Sequence, residues 1–76
     1  MKKLLNELKN IVEDNCKFEM QYQINYVSNN KQWSIDVCSP YSEKWVYCEY
    51  GDDLKELLEN CIKETKSFID NFEWEE

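Results

Sequence analysis

The stretch CKFEMQYQINYVSNNKQWSIDVC, residues 16–38, decides the fold. In its first half Cys16, Phe18, Met20, Tyr22, Ile24 and Tyr26 alternate with Lys17, Glu19, Gln21, Gln23 and Asn25. A period of two sends successive side chains to opposite faces of a strand, so residues 16–27 read as a strand with one buried face. Asn29 and Asn30 tolerate the positive φ of a two-residue hairpin turn, which sets Ser28 opposite Lys31 and opens a second strand at 32–38. That register pairs Tyr26 with Trp33, Ile24 with Ile35 and Tyr22 with Val37, all on one face. Turn chemistry and hydrophobic pattern therefore agree independently.

Working outward, Ser39-Pro40-Tyr41-Ser42-Glu43 has the residues of a second turn, and a third strand is expected over 44–50. A tight turn there sets Val37 against Val46, Ile35 against Cys48 and Trp33 against Tyr50. Trp45 and Tyr47 then lie on the open face beside Cys38 and Asp36; a slip of one residue would bury them instead. Gly51 ends the strand. Asp53, with Glu56 three positions on, has the form of a capping box and opens a helix over 53–72, whose apolar stripe runs Leu54, Leu57, Leu58, Cys61, Thr65, Phe68, Ile69 and Phe72. Upstream, Leu4, Leu5, Leu8, Ile11 and Val12 mark one face of a helix over 3–14. The closing Glu73-Trp74-Glu75-Glu76 is expected to fray.

The expected fold is α+β in the order α-β-β-β-α, a three-stranded antiparallel meander with two helices packed on one face, in a single domain over residues 1–76. Helix stripes and a strand face each need a partner, and this arrangement supplies both. The expected core is Leu4, Leu8, Ile11, Phe18, Tyr22, Ile24, Ile35, Val37, Val46, Leu57, Leu58, Cys61 and Phe68.

A chain of 76 residues buries only about 60% of its unfolded surface, leaving room for one modest core. No apolar run reaches the ~18 residues of a membrane span, and MKKLLNELKN lacks the apolar core of a signal peptide. A cytoplasmic protein without membrane association is expected. Arg and Ala are absent while Asn, Lys, Ile, Tyr and Glu abound, the usage of an AT-rich coding sequence, which points to a low-GC bacterium or one of its phages or plasmids. With no His, the commonest general base is missing, and no Ser or Cys stands in a nucleophile motif, so no catalysis and no cofactor are expected. Cys16, Cys38, Cys48 and Cys61 lack the close pairing of zinc ligands and read as free thiols, three on core faces and Cys38 exposed.

Charge is unevenly spread. Residues 1–38 hold five Lys and five acids, whereas residues 39–76 hold four Lys and eleven acids, so the whole net charge of -7 belongs to the second half. Asp52 and Glu56 are like charges one helical turn apart, and Lys2, Lys3, Glu13 and Asp14 oppose the first helix's dipole. Neither arrangement helps folding. A nucleic-acid ligand is disfavoured: the element order resembles the double-stranded RNA-binding fold in topology only, without its basic second helix. The acids instead suit a protein partner that normally grips phosphates. The expected contact surface comprises Asp52, Asp53, Glu56, Glu59, Asp70, Glu73, Glu75 and Glu76, with Glu43 and Glu49 nearby. Trp45 and Tyr47 are the aromatic anchors and Trp74 a lesser one.

In size, architecture and charge the whole chain resembles the small acidic anti-CRISPR and DNA-mimicking nuclease-inhibitor proteins of phages and mobile elements. No sequence motif carries this resemblance, and no residue role is transferred by it. It implies an inhibitor that binds a larger basic host protein, a nuclease or another nucleic-acid-binding enzyme. Two alternatives stay open from the sequence: an immunity protein that blocks a toxin nuclease, and a phage structural or interaction protein.

Overall fold

The alternating stretch does form a hairpin. In the computed structural model, which describes residues 1–74, β1 (Gln21–Val27) and β2 (Gln32–Cys38) pair antiparallel. Tyr26 stands opposite Trp33, Ile24 opposite Ile35 and Tyr22 opposite Val37. The turn reaches that register by another route. Positive φ falls on Lys31, at 53°, rather than on Asn29 or Asn30. Asn30 N–H donates to Val27 O at 3.2 Å and Lys31 N–H to Ser28 O at 3.3 Å, so residues 28–31 form a four-residue loop. The loop still sets Ser28 beside Lys31, which is why the pairing is unchanged.

The remaining elements are α1 (Lys2–Asp14), a 3-10 turn (Cys16–Phe18), β3 (Tyr47–Gly51) and α2 (Leu54–Asn71). The order is α-β-β-β-α, with sheet order β1-β2-β3 and an α+β fold. α2 lies across β2 and β3, and α1 packs against α2. Asp53 caps α2 through its carboxylate, which accepts the Glu56 N–H at 3.2 Å. Leu8, Phe18, Ile35, Val37, Leu58, Cys61 and Thr65 are fully buried, with Met20, Tyr47, Leu57 and Ile62 nearly so. Leu4, Ile11, Tyr22, Ile24, Val46 and Phe68 pack around them half-buried. Gly51 sits on the helix-covered face, where a Cβ would lie 3.4 Å from the Leu57 side chain.

Three local expectations are corrected. The strand expected from residue 16 begins at Gln21, because the chain first makes a tight turn: Phe18 N–H donates to Asn15 O at 3.0 Å and Glu19 N–H to Cys16 O at 2.9 Å. Glu19 closes it at φ 52°. Phe18 and Met20 are still buried and Lys17 and Glu19 exposed, so the alternation records burial correctly where the backbone is not a strand. The Ser39 hydroxyl latches this turn to the end of β2, donating to Phe18 O at 2.7 Å and accepting Tyr41 N–H at 3.2 Å.

The third strand begins at Tyr47 rather than residue 44, and its register is slipped by one: Val37 faces Tyr47, Ile35 faces Glu49 and Trp33 faces Gly51. The slip has a visible cause. Val46 N–H also reaches Val37 O, at 2.9 Å, so two residues oppose one, the arrangement of a β-bulge. Tyr47 is consequently 7% exposed and belongs to the core, while Cys48 and Tyr50 occupy the open face. Cys16 and Cys48 are exposed and Cys38 is half-buried; only Cys61 is a core thiol, and all four are free.

Past α2 the described residues run only to Trp74, which packs against the domain rather than standing free of it. The rest of the stretch expected to fray, Glu75 and Glu76, lies outside the described residues. Phe18, Phe68, Phe72 and Trp74 form a cluster with ring centroids 4.7 to 5.7 Å apart, which Tyr41 joins at 5.0 Å from Trp74. Lys17 Nζ lies 5.2 Å from the Trp74 ring. Edge-to-face contacts of this kind add roughly 0.5–1.5 kcal/mol each beyond area burial.

Candidate functional site

Strand β3 is an edge of the sheet, and α2 runs beside it. Between them lies a groove of about 710 Å³. The bulge at Val46 sets the β3 wall, turning Tyr47 down into the floor beside Leu57. On α2, Glu56, Asn60 and Glu64 follow one another at i, i+4 and i+8 and so share one face along the strand. The helix start contributes Asp52 and Asp53, and β3 contributes Glu49.

Five carboxylates thus line the groove, those of Glu49, Asp52, Asp53, Glu56 and Glu64, against two ammonium groups, Lys44 and Lys63. The salt bridges among the described residues are elsewhere, Lys9 with Glu13 and Lys66 with Glu7. The groove acids are therefore concentrated but not neutralised at contact distance. Tyr47 registers their field. Its phenol is pushed up to about 12, first by burial, then by the negative charge of the Cys61 thiolate and of the carboxylates of Glu49, Glu64 and Glu56. Cys61 is itself pushed up to about 11 by burial, partly offset by the Thr65 hydroxyl. Among the described residues the Tyr47 hydroxyl makes no hydrogen bond.

Of the sequence-derived surface, Trp45, Glu49, Asp52, Asp53 and Glu56 come together here. Trp45 is 57% exposed on the groove's lip, where it also borders a shallower depression containing Phe68 and Phe72. Tyr47 is at the same groove but as its buried floor, which rules it out as an exposed anchor. Glu59 and Asp70 are exposed on the α2 face of Lys66, which pairs with Glu7 of α1, and do not line the groove. Glu43 is exposed in the β2–β3 connection, and Glu73 lies past α2 beside the aromatic cluster. Trp74 is 42% exposed but committed to that cluster. Glu75 and Glu76 lie outside the described residues.

Two residues were missed. Glu64 belongs to the site, and its signal was the i, i+8 spacing from Glu56, legible once β3 is known to run along that helix face. Tyr50, 64% exposed, is the aromatic side chain of the open face in place of Tyr47.

Among the described residues no group of three or more His, Cys, Asp or Glu side chains is placed to hold a metal ion, and no helix is long and apolar enough to cross a membrane. The arrangement offers carboxylates without contact ion pairs among the described residues, an exposed indole and a free strand edge. No family model, curated protein or solved structure matches the chain.

Proposed function

We propose that this chain is a small acidic inhibitor that binds a larger, basic, nucleic-acid-binding host protein, with the groove carboxylates standing in for phosphates, in the manner of anti-CRISPR DNA mimics. The observation that carries the reading is the gathering of Glu49, Asp52, Asp53, Glu56 and Glu64 around one groove, without ion pairs of their own among the described residues, beside the exposed Trp45. Folding explains only part of the cluster: Asp53 caps α2 and Asp52 and Glu56 sit at the favourable end of its dipole, whereas Glu49 and Glu64 add negative charge there with no ion pair among the described residues. The cluster accelerates encounter with a cationic partner, and the indole supplies the desolvated contact that slows dissociation.

The test is affinity capture from a low-GC bacterial lysate, followed by competition with duplex DNA on the purified partner. The proposal expects a complex that DNA displaces and that associates more slowly as salt rises above the ~8 Å screening regime of physiological ionic strength. Capture of nothing, or of a partner indifferent to DNA, contradicts it.

A further inference from the structure

We propose that the β3 edge takes up an extended lysine- or arginine-bearing segment of a partner protein as a fourth strand, its cations seated among the groove carboxylates. This rests on the protein-binding reading above and specifies how the groove is filled.

The backbone supplies the first observation. Val37 O accepts from Val46 N–H, so the Val37 carbonyl faces β3. In an antiparallel ladder the bonding direction alternates residue by residue, so Val37, Ile35 and Trp33 bond toward β3 through their partners Tyr47, Glu49 and Gly51. Cys48 and Tyr50 must then direct their N–H and C=O outward, and among the described residues β3 has no strand beyond it. Two residues with both backbone groups free are the template that strand addition uses.

The second observation is Tyr47. It lines the groove, is 7% exposed, and its hydroxyl is without a hydrogen-bond partner among the described residues. The ring is packed in the core while the hydroxyl opens to the groove, where a donor or acceptor of an incoming segment can reach it.

Charge selects the occupant. A second copy of this chain pairing antiparallel through β3 would bring two sets of groove carboxylates together on a protein of net charge -7. An extended segment with cationic side chains meets the opposite sign. Alternate side chains of an added strand fall on the groove side, so a segment alternating lysine with an apolar residue is the simplest match. The other sheet edge, β1, lacks this cluster: the nearest acid in its sequence is Glu19.

The probe is a blocked peptide alternating lysine and valine, titrated by calorimetry against the full chain at ~0.15 M salt, where exposed charges are screened beyond ~8 Å. Three comparisons accompany it: the same peptide N-methylated at alternate amides, a glutamate–valine peptide, and the variants Tyr50→Pro and Tyr50→Ala. Tyr50→Pro removes an outward N–H without touching the β2 ladder, while Tyr50→Ala removes only the side chain. The proposal expects binding of the lysine peptide, weakening by about tenfold or more on N-methylation in one of the two possible phases and in Tyr50→Pro, a markedly smaller loss in Tyr50→Ala than in Tyr50→Pro, and no binding of the glutamate peptide. If Tyr50→Pro fails to fold, the N-methylated peptides still decide the matter.

Binding that ignores N-methylation means diffuse attraction to the groove and overturns strand addition while leaving the inhibitor reading intact. Absence of lysine-peptide binding also overturns it. So does a dimer in sedimentation that Tyr50→Pro dissociates, since the edge would then belong to a second copy. The inhibitor reading fails separately, if no DNA-sensitive partner is captured.

Discussion

Tyr47 is the cross-strand partner of Val37, and this pairing places its ring in the core while its hydroxyl comes under the influence of Glu49, Glu56 and Glu64. One residue thus joins the packing of the sheet to the electrostatics of the groove. Had Val46 taken that position, as a tight β2–β3 turn would require, the groove would lose its floor and the open face would gain a tyrosine.

The first consequence is an alkaline limit to stability. Tyr47 and Cys61 hold their protons more tightly folded than unfolded, with values raised to about 12 from 10.0 and to about 11 from 9.0. A raised value means the contribution is fully present below the unfolded value and is lost as pH climbs through the folded one. Urea midpoints should therefore hold steady up to about pH 8.5 and fall progressively between about pH 9 and 12. Tyr47→Phe should flatten the upper part of that fall, and an identical alkaline profile in this variant would refute the assignment.

Core packing gives a second expectation. Leu58 is fully buried where α2 meets the sheet, so Leu58→Ala should cost about 2–5 kcal/mol, read from the denaturation midpoint at constant m-value. For a domain this small that is a large part of its total stability. A loss below about 1 kcal/mol would mean that α2 does not pack as described.

Thr65 makes the opposite kind of prediction. Its hydroxyl is wholly buried and, although it acts on the Cys61 thiol, has no well-aligned hydrogen-bond partner among the described residues, which costs roughly 1–3 kcal/mol relative to a satisfied group. Thr65→Val keeps the shape and removes the orphan, so melting temperature should stay level or rise. A marked drop would show that the hydroxyl bonds to something, with the Cys61 thiol the first suspect.

Thiol chemistry checks the corrected register of β3. Cys16 and Cys48 are exposed and Cys61 is buried with a raised value, so a thiol reagent at neutral pH should modify the first two quickly and Cys61 only on unfolding. A protected Cys48 would mean that β3 pairs one residue away, with Cys48 rather than Tyr47 in the core.

How far the sequence carried the fold follows from where local signals were strong. The β1–β2 register was legible because the alternation of Tyr22, Ile24 and Tyr26 fixes the face of each side chain, and any loop that sets Ser28 beside Lys31 preserves it. Asp53 and Glu56 gave the start of α2 through capping chemistry. The third strand was not legible, because Trp45, Val46, Tyr47, Cys48 and Tyr50 are nearly all apolar and no alternation chooses between registers. A bulge at Val46 and Tyr47 has no residue signature in such a run. The candidate site inherited that ambiguity: the acids were recognisable as a set, but which of them face β3 depends on how α2 is rotated over the sheet. Glu56 and Glu64 share that face, whereas Glu59 and Asp70 do not.

The central claim is that the groove, rather than the net charge, recognises the partner, and one comparison of matched charge changes tests it. Glu49, Glu56 and Glu64 are replaced together by Lys in one variant, and Glu59, Asp70 and Glu73 in another, and each is titrated against the captured partner with circular dichroism confirming the fold. The groove variant should lose at least about tenfold in affinity, ~1.4 kcal/mol, while the other loses markedly less. Equal losses in the two variants, or full binding by the groove variant, would contradict that claim.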